Sequence, residues 1–350
     1  MFGMAGAMMP NPMVNVGNLE DLTSTVTSVS GSSSNLKDRM DAVRGMFVSP
    51  DGKKMILGGR NDAAHSEGIT NLADNRTVYA QMTMNPPFDT TTLALDTTVG
   101  GIDYGGETIE AGFWNPRNST NRPEGMWINP EGTKALLGMH NNLIHMYNIS
   151  NFNLPTSAVS PTSTFTDSAT NHQGYAMKPD GTKLFIYSHE NIISQFDLTT
   201  AFDLSTVTNR QSIYLGSGTR TSPHGLGTLT GKDVLDDSTS PQGGDMFISQ
   251  YDGKTVWIAV RQNDGGLPND PITGVVGTDV DSGTIIECSL STAYDITTLS
   301  AVTSSASDVK TMYTFTNGRN HPLWINEQRK AKKINAAVSG LGSYYKRSWV

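Results

Sequence analysis

Cysteine is almost absent from this chain of 350 residues, which contains a single one, Cys288. One cysteine cannot form an intrachain disulfide, and zinc sites built from several cysteines are excluded as well. Cys288 ends the alternating run 284–288, a pattern typical of a β-strand. We therefore interpret Cys288 as a small buried apolar residue.

Charged residues are also few, at 17% of the chain, and they leave a formal net charge of −8. Nucleic acid is therefore not expected as a partner, because phosphate binding needs a surplus of Lys and Arg on one face. The basic cluster at 329–333 is short and is more typical of a solvated turn. No hydrophobic run reaches the roughly 20 residues of a membrane-spanning helix, so no membrane partner is expected. Residues 1–10 are apolar but lack a basic region, which does not fit a secretory signal.

Glycine, threonine, serine and asparagine are abundant instead, a composition that predicts many short strands joined by turns. One unit recurs as an apolar strand, an acidic-Gly turn and a second apolar strand. Its copies are residues 45–57, 125–137, 174–186 and 246–258. Because an Asp-Gly pair, often after Pro, reverses the chain, we interpret the turn acids as hairpin formers and not as ligands. These acids are Asp51, Glu131, Asp180 and Asp252.

A second unit follows each hairpin and consists of a short strand, an aromatic turn and a Thr/Ser-rich strand. Its clearest copies are residues 193–207 and 286–299, and weaker copies are 78–93 and 144–154. The two units together supply four strands, which is one blade of a β-propeller. The turn acids lie 80, 49 and 72 residues apart, which indicates one compact blade and two blades with insertions.

The two ends of the chain supply a fifth blade. Strands are predicted at 321–326, 333–338 and 343–349, and residues 19–27 read like residues 202–208. We therefore predict an all-β fold, a single β-propeller of five four-stranded blades closed by an N-terminal strand, which protects the blade edges. In this interpretation residues 1–16 form an extended Met-rich arm. Residues 17–350 form the propeller, whose last blade is completed by residues 18–28.

The pattern resembles the propeller repeats of marine bacteriophage proteins, on residues 178–183, 197–203 and 289–295. The resemblance implies a propeller in a virion, as a tail, fibre-anchor or head-surface component. It implies no catalytic residues, because such repeats define a scaffold.

The residue before the first strand of each blade is expected near one mouth of the central channel. A mixed polar ring there favours a solvated channel over a metal site. The predicted ring residues are Arg44, Glu124, Gln173, Gln242 and His321, with His224 as a competing match for the fourth.

A further loop, with Asp279 and Asp281, resembles the start of a calcium loop, but it lacks the later Glu, which favours an ordinary polar turn.

No serine-nucleophile, zinc-helix or phosphate-loop motif occurs, so we expect a non-enzymatic structural protein of the virion without a cofactor. Its partners would be other virion proteins in multiple copies. The Met-rich arm is the predicted docking element, since Met adapts to irregular surfaces. Its partner-binding residues are Met1, Phe2, Met4, Met8, Met9 and Met13.

The alternative is a propeller that binds or cleaves glycans of the host surface. Trp114 with Glu107 and Glu110 is the candidate glycan contact, since a retaining hydrolase needs two carboxyl groups roughly 5 Å apart. We favour the interpretation that Phe113 and Trp114 anchor a long loop to the domain.

Overall fold

The computed structural model describes residues 40–61, 76–89, 92–116, 123–167, 171–222, 225–232, 234–235, 242–261, 283–300 and 310–315. In these ranges the chain is all-β, as predicted, with two short 3₁₀ helices at Leu204–Thr206 and Ile296–Thr298. None of the described helices has the length and apolarity that crossing a membrane requires. The predicted arm at 1–16, the closing strand at 18–28 and the strands after residue 315 lie outside the described residues.

The first sheet begins with a meander of β1 (Met40–Val48), β2 (Lys54–Asn61) and β3 (Thr77–Thr83). An insertion after β3 adds strands β4 (Ala94–Leu95), β5 (Gly100–Ile102), β6 (Thr108–Ala111) and β7 (Phe113–Trp114). The sheet order is β1-β2-β3-β7-β5-β6, with β4 also paired to β3 and with β5 parallel to β7. The long gap between the first two repeat units is therefore an edge extension of this sheet.

The next sheets are antiparallel and four-stranded. The second contains β8 (Pro123–Ile128), β9 (Lys134–Met139), β10 (Leu143–Asn148) and β11 (Ser163–Thr166). The third contains β12 (His172–Met177), β13 (Lys183–Ser188), β14 (Ile192–Leu198) and β15 (Val207–Tyr214). A separate ribbon of β16 (Thr219–Thr221) and β17 (Thr228–Thr230) precedes the fourth sheet. The fourth sheet contains β18 (Gln242–Ile248), β19 (Thr255–Arg261), β20 (Gly283–Ser289) and β21 (Lys310–Phe315).

An aromatic residue at positive φ closes the first hairpin turn of each sheet, in a contact that we call the turn clasp. In the third sheet the N–H of Phe202 donates to the carbonyl of Gly181 at 3.0 Å. The ring of Phe202 lies 2.6 Å from the place a Cβ on Gly181 would occupy, and Gly181 has φ +75°. Glycine is therefore required here both for its conformation and for its missing side chain. The same contact joins Gly52 to Phe88, Gly132 to Phe152 and Gly253 to Tyr294.

The turn acids hold the hairpins by local hydrogen bonds. Asp180 accepts from the N–H and the hydroxyl of Thr182 at 3.0 and 2.6 Å. Asp252 accepts from the N–H groups of Lys254 and Thr255 at 2.7 and 3.0 Å. Side-chain oxygens that bond to the backbone two or three residues ahead stabilise turns. For Asp180 and Asp252 the interpretation as hairpin formers is confirmed.

Hydrophobic cores lie at the boundaries between consecutive sheets. Met126 and Ile128 of β8 share a core with the first sheet, whereas Trp127, between them, packs toward the third sheet. A separate core joins the third sheet to the fourth. Alternate residues of a strand point to opposite faces, so a strand between two cores is apolar throughout. The described fold is thus a series of largely antiparallel sheets packed face to face, as propellers and sandwiches have.

Candidate functional site

A register shift interrupts the first strand of every main sheet. The shifts lie between Asp41 and Gly45, Pro123 and Gly125, His172 and Gly174, and Gly243 and Met246. A β-bulge re-aims the side chain of its extra residue. The bulge segments hold four polar residues that we call the bulge cluster: Arg44, Glu124, Gln173 and Asp245.

Arg44 connects three sheets within this cluster. Its Nη1 donates to the carboxylate of Glu124 and, at 3.1 Å, to Oε1 of Gln173. The second oxygen of Glu124 lies 2.6 Å from Nδ1 of His140, which belongs to the turn between β9 and β10. Glu124 is only 1% exposed, and Arg44 is also buried. The structure thus brings together three of the predicted ring residues as a buried, internally bonded group, in which opposite charges offset part of the desolvation cost.

Asp245 is the cluster member in the fourth sheet, and it corrects the prediction of Gln242. Asp245 is buried, and its Oδ1 lies 2.8 Å from the place a Cβ on Gly174 would occupy, so it adjoins β12. Gln242 instead pairs with Arg261, before the register shift. The missed signal was spacing, because Arg44, Glu124 and Gln173 each precede their turn acid by seven residues, as Asp245 precedes Asp252. His321 and His224 lie outside the described residues.

A chain of hydrogen-bonded side chains, which we call the relay, adjoins the cluster; three of its members are buried and Arg210 is half-buried. Arg210 donates to Asp167 at 2.8 Å, and the second oxygen of Asp167 lies 3.3 Å from Nε2 of His172. Nδ1 of His172 lies 3.2 Å from the hydroxyl of Tyr175. Burial lowers the pKa of His172, while Asp167 acts in the opposite direction. Burial, and then the charge of Glu124, raises the pKa of Tyr175 well above its usual value.

The charged groups of the cluster and the relay form hydrogen bonds and ion pairs with one another. The carboxylates of Glu124 and Asp167 each meet an arginine and a histidine. Within the described ranges, no group of three or more His, Cys, Asp or Glu side chains is placed to hold a metal ion. The relay gave no sequence signal, because its members are scattered along the chain between residues 167 and 210.

The candidate glycan residues lie on the insertion of the first sheet. Trp114 is only 2% exposed, and its ring packs against Tyr147 at 5.1 Å and Tyr79 at 6.0 Å between centroids. A sugar therefore finds no open indole face at this residue, and the ring anchors the insertion to the sheet. Glu107 is exposed in the turn before β6, and Glu110 is half-buried on that strand.

The remaining candidates are settled by burial or fall outside the described ranges. Cys288 is buried in the core between the third and fourth sheets, and burial raises the pKa of its thiol to about 12. Its interpretation as a buried apolar residue is confirmed. Asp279 and Asp281 of the calcium-like loop lie outside the described residues, as do the arm residues Met1, Phe2, Met4, Met8, Met9 and Met13.

No protein-family model matches this sequence. No curated protein matches it either. Among solved structures, the chain is similar to the exo-β-1,3-galactanase of Phanerochaete chrysosporium with galactose, at 10% identity and a TM-score of 0.40, over 81% of this chain and 54% of that one. It is also similar to Raptor of Chaetomium thermophilum, at 10% identity and a TM-score of 0.36, over 79% of this chain and 21% of that one. The chain spans about half the length of the galactanase and about a fifth of Raptor. Likenesses at these TM-scores carry no argument about activity or substrate.

Proposed function

We propose that this chain is a closed five-bladed β-propeller that serves as a non-enzymatic interaction scaffold in a bacteriophage particle. Its described sheets pack in chain order, and their first strands adjoin one another. The ideal Cβ of Gly125 would lie 3.0 Å from the carbonyl of Gln173, and that of Gly174 would lie 2.6 Å from the nitrogen of Met246. Strands that approach this closely fit the narrow centre of a propeller, where a fifth sheet from the two chain ends would complete the ring.

The pairing within the bulge cluster is the observation that carries the scaffold role. Ligand and catalytic sites present convergent polar groups toward an open space. Here Arg44, Glu124 and Gln173 bond to one another and are buried, so the polar groups where the sheets meet serve to join them. This arrangement favours a structural function over catalysis.

The particle role is supported by the repeat itself. Residues 178–183 and 289–295, which carry the phage-type resemblance, contribute to the turn clasps of the third and fourth sheets. A Met-rich segment ahead of such a scaffold suits docking on neighbouring particle proteins, in a tail, a fibre anchor or a head surface.

Quantitative mass spectrometry of purified particles, from a culture that produces this chain, tests the particle role. We expect the chain in multiple copies that remain after a high-salt wash. Its absence from intact particles, with the chain abundant in the cell lysate, would overturn the proposal.

Light scattering after size exclusion tests the docking element. We expect the full chain to form a defined oligomer and the chain without residues 1–16 to be monomeric. A full-length variant with Ser at residues 2, 4, 8, 9 and 13 is the matched control for length, and it should also be monomeric. Equal masses for all of them would remove the arm from the proposal.

A further inference from the structure

The side chain of Tyr175, from the third sheet, occupies a gap in the second sheet. The ideal Cβ positions of Gly138 and Gly125 would lie 1.9 and 2.8 Å from atoms of its ring. The ring is buried at this boundary. Its hydroxyl lies 3.2 Å from Nδ1 of His172, and among the described residues it has no other hydrogen-bond partner. A single histidine nitrogen therefore holds the hydroxyl of the ring that joins these two sheets.

His172 also contacts the second sheet through its other polar atoms. Its Nε2 lies 3.3 Å from Oδ2 of Asp167, the residue that follows β11. Its backbone N–H donates to Oδ1 of Asn142, in the turn between β9 and β10, at 3.2 Å. The side chain is fully buried. A proton that the ring takes up must therefore be accommodated by the partners that the ring already has.

These partners determine which ring nitrogen carries the hydrogen. Asp167 is paired with Arg210 at 2.8 Å, and a carboxylate in an ion pair accepts hydrogen bonds and donates none. The imidazole therefore donates from Nε2. A neutral imidazole has one donor and one acceptor, so its Nδ1 accepts from the hydroxyl of Tyr175. While His172 is neutral, the hydrogen bonds run from Tyr175 through His172 to Asp167.

We propose that protonation of Nδ1 reverses the hydrogen bond between His172 and Tyr175 and thereby loosens the boundary between the second and third sheets in acid. An imidazolium donates from both nitrogens, so the hydroxyl of Tyr175 has to turn and accept. The hydrogen of that hydroxyl then loses its acceptor, and burial makes an unpaired hydroxyl costly. The bond to Asp167 remains, so the change is confined to the side of the ring that faces Tyr175.

The charges around the ring set the direction of the pH dependence. Burial lowers the pKa of His172, Asp167 raises it, Arg210 on β15 lowers it, and Glu190 in the turn between β13 and β14 raises it. Opening of the boundary would bring the ring into water, where it takes up a proton at about pH 6.5. The open form therefore takes up the proton before the closed form does, so acid below about pH 6.5 favours opening.

The boundary between the third and fourth sheets offers a matched comparison. There the ring of Tyr187 lies against Gly243, whose ideal Cβ would be 3.0 Å from Cζ of the ring. The hydroxyl of Tyr187 donates to Oδ1 of Asn191 at 2.9 Å. An amide does not titrate in this pH range, so this hydrogen bond keeps its direction in acid. We therefore expect the response to acid at the earlier boundary and not at this one.

Hydrogen exchange with peptide-level mass spectrometry, on the full wild-type chain at about pH 7 and about pH 5, tests the switch. After correction for the intrinsic pH dependence of exchange, the opening of amides in 123–128, 134–139 and 172–177 should increase at least about twofold in acid. Uptake of one proton limits the increase to about tenfold per pH unit. Amides in 242–248 and 255–261, on the fourth sheet, should show no increase. An equal increase in all these strands would overturn the switch, and this outcome is decided by the wild type alone.

Two histidine variants separate the switch from a general effect of acid. His172→Gln can still donate a hydrogen bond but takes up no proton, so the increase in the second and third sheets should disappear. His140→Gln should retain the increase, because His140 is 43% exposed and is not part of the relay. An increase that persists in His172→Gln would overturn the assignment to His172. Far-ultraviolet circular dichroism confirms that each variant is folded.

Nuclear magnetic resonance of the labelled side chains tests the direction of the hydrogen bonds. At about pH 7 the ring of His172, identified by its absence from the spectrum of His172→Gln, should carry its hydrogen on Nε2. The Cζ resonance of Tyr175, identified in the same way with Tyr175→Phe, should shift with the same midpoint as the ring of His172. A hydrogen on Nδ1 at about pH 7, or a Tyr175 resonance that does not follow the titration, would overturn the reversal.

Discussion

The backbone N–H of Ile296 donates a hydrogen bond of 3.0 Å to Oε1 of Gln195, across the boundary between the third and fourth sheets. Both residues are buried. A buried donor that loses its partner costs about 1–3 kcal/mol, so we expect Gln195→Ala to lower the free energy of unfolding by at least that amount. Gln211→Ala is the control, because exposed Gln211 bonds to the amide of Gln195 and leaves the N–H of Ile296 paired. Equal losses in urea unfolding would contradict this account.

The ring of Tyr175 fills space that only glycine leaves open in the second sheet. A Cβ on Gly138 would lie 1.9 Å from this ring, so the ring or the strand must move to admit it. We expect Gly138→Ala to destabilise the protein by about 1–3 kcal/mol, or more if the ring cannot move. Gly105→Ala, with no atom within 4 Å of the new Cβ, should stay within about 0.5 kcal/mol of wild type in thermal unfolding. Matching melting temperatures would show that the ring is not seated there.

Removal of Arg44 should reveal the strength of the bulge cluster. Arg44→Met removes the arginine that faces the buried carboxylate of Glu124, and the loss of one partner of a buried ion pair costs about 3–5 kcal/mol. Adding Glu124→Gln should recover part of the loss, because the uncompensated charge is then gone. A double-mutant cycle by denaturant unfolding measures the coupling. Additive single effects would mean that the two groups do not interact in solution.

His172 should make the protein sensitive to acid. Its folded-state pKa lies below the value of about 6.5 expected in the unfolded chain, because burial outweighs the effect of Asp167. As the pH falls through 6.5 the unfolded state takes up the proton first. Above pH 6.5 His172 is neutral in both states and does not lower the free energy of unfolding. Between pH 6.5 and the lower folded-state pKa, the free energy of unfolding decreases as the pH falls. Arg210 lowers and Glu190 raises the same pKa.

Urea unfolding at a series of pH values, in wild type and His172→Gln, measures this contribution. The other histidines titrate in both proteins, so the difference between the two curves isolates His172. We expect a shallower decrease below pH 6.5 in the variant. Parallel curves would contradict the assignment.

Cys288 should be unreactive in the folded protein. The thiolate is the reactive form, and burial raises the pKa of this thiol to about 12. A thiol reagent at neutral pH should label the native protein far more slowly than the urea-unfolded chain. Rapid native labelling would place Cys288 at a surface.

Local backbone chemistry explains what could be predicted about the repeat. Asp-Gly turns and alternating apolar residues act within a few positions, so the hairpins and the aromatic turns were each legible in the sequence. The contact between the hairpin and the aromatic turn could not be predicted, because the ring of Phe202 packs on Gly181, which is 21 residues away in the sequence. Contacts at that separation depend on how the strands are paired.

The sequence by itself determined the all-β class, the hairpin turns and the presence of insertions, because turn residues and strand alternation constrain only the nearest backbone. The tertiary structure alone decided which polar residues meet. It placed Asp245 and not Gln242 beside β12, paired Glu124 with both Arg44 and His140, and buried Trp114 under Tyr147. These outcomes depend on bulges that re-aim side chains and on the face-to-face packing of sheets, which bring together residues as far apart as 44 and 173.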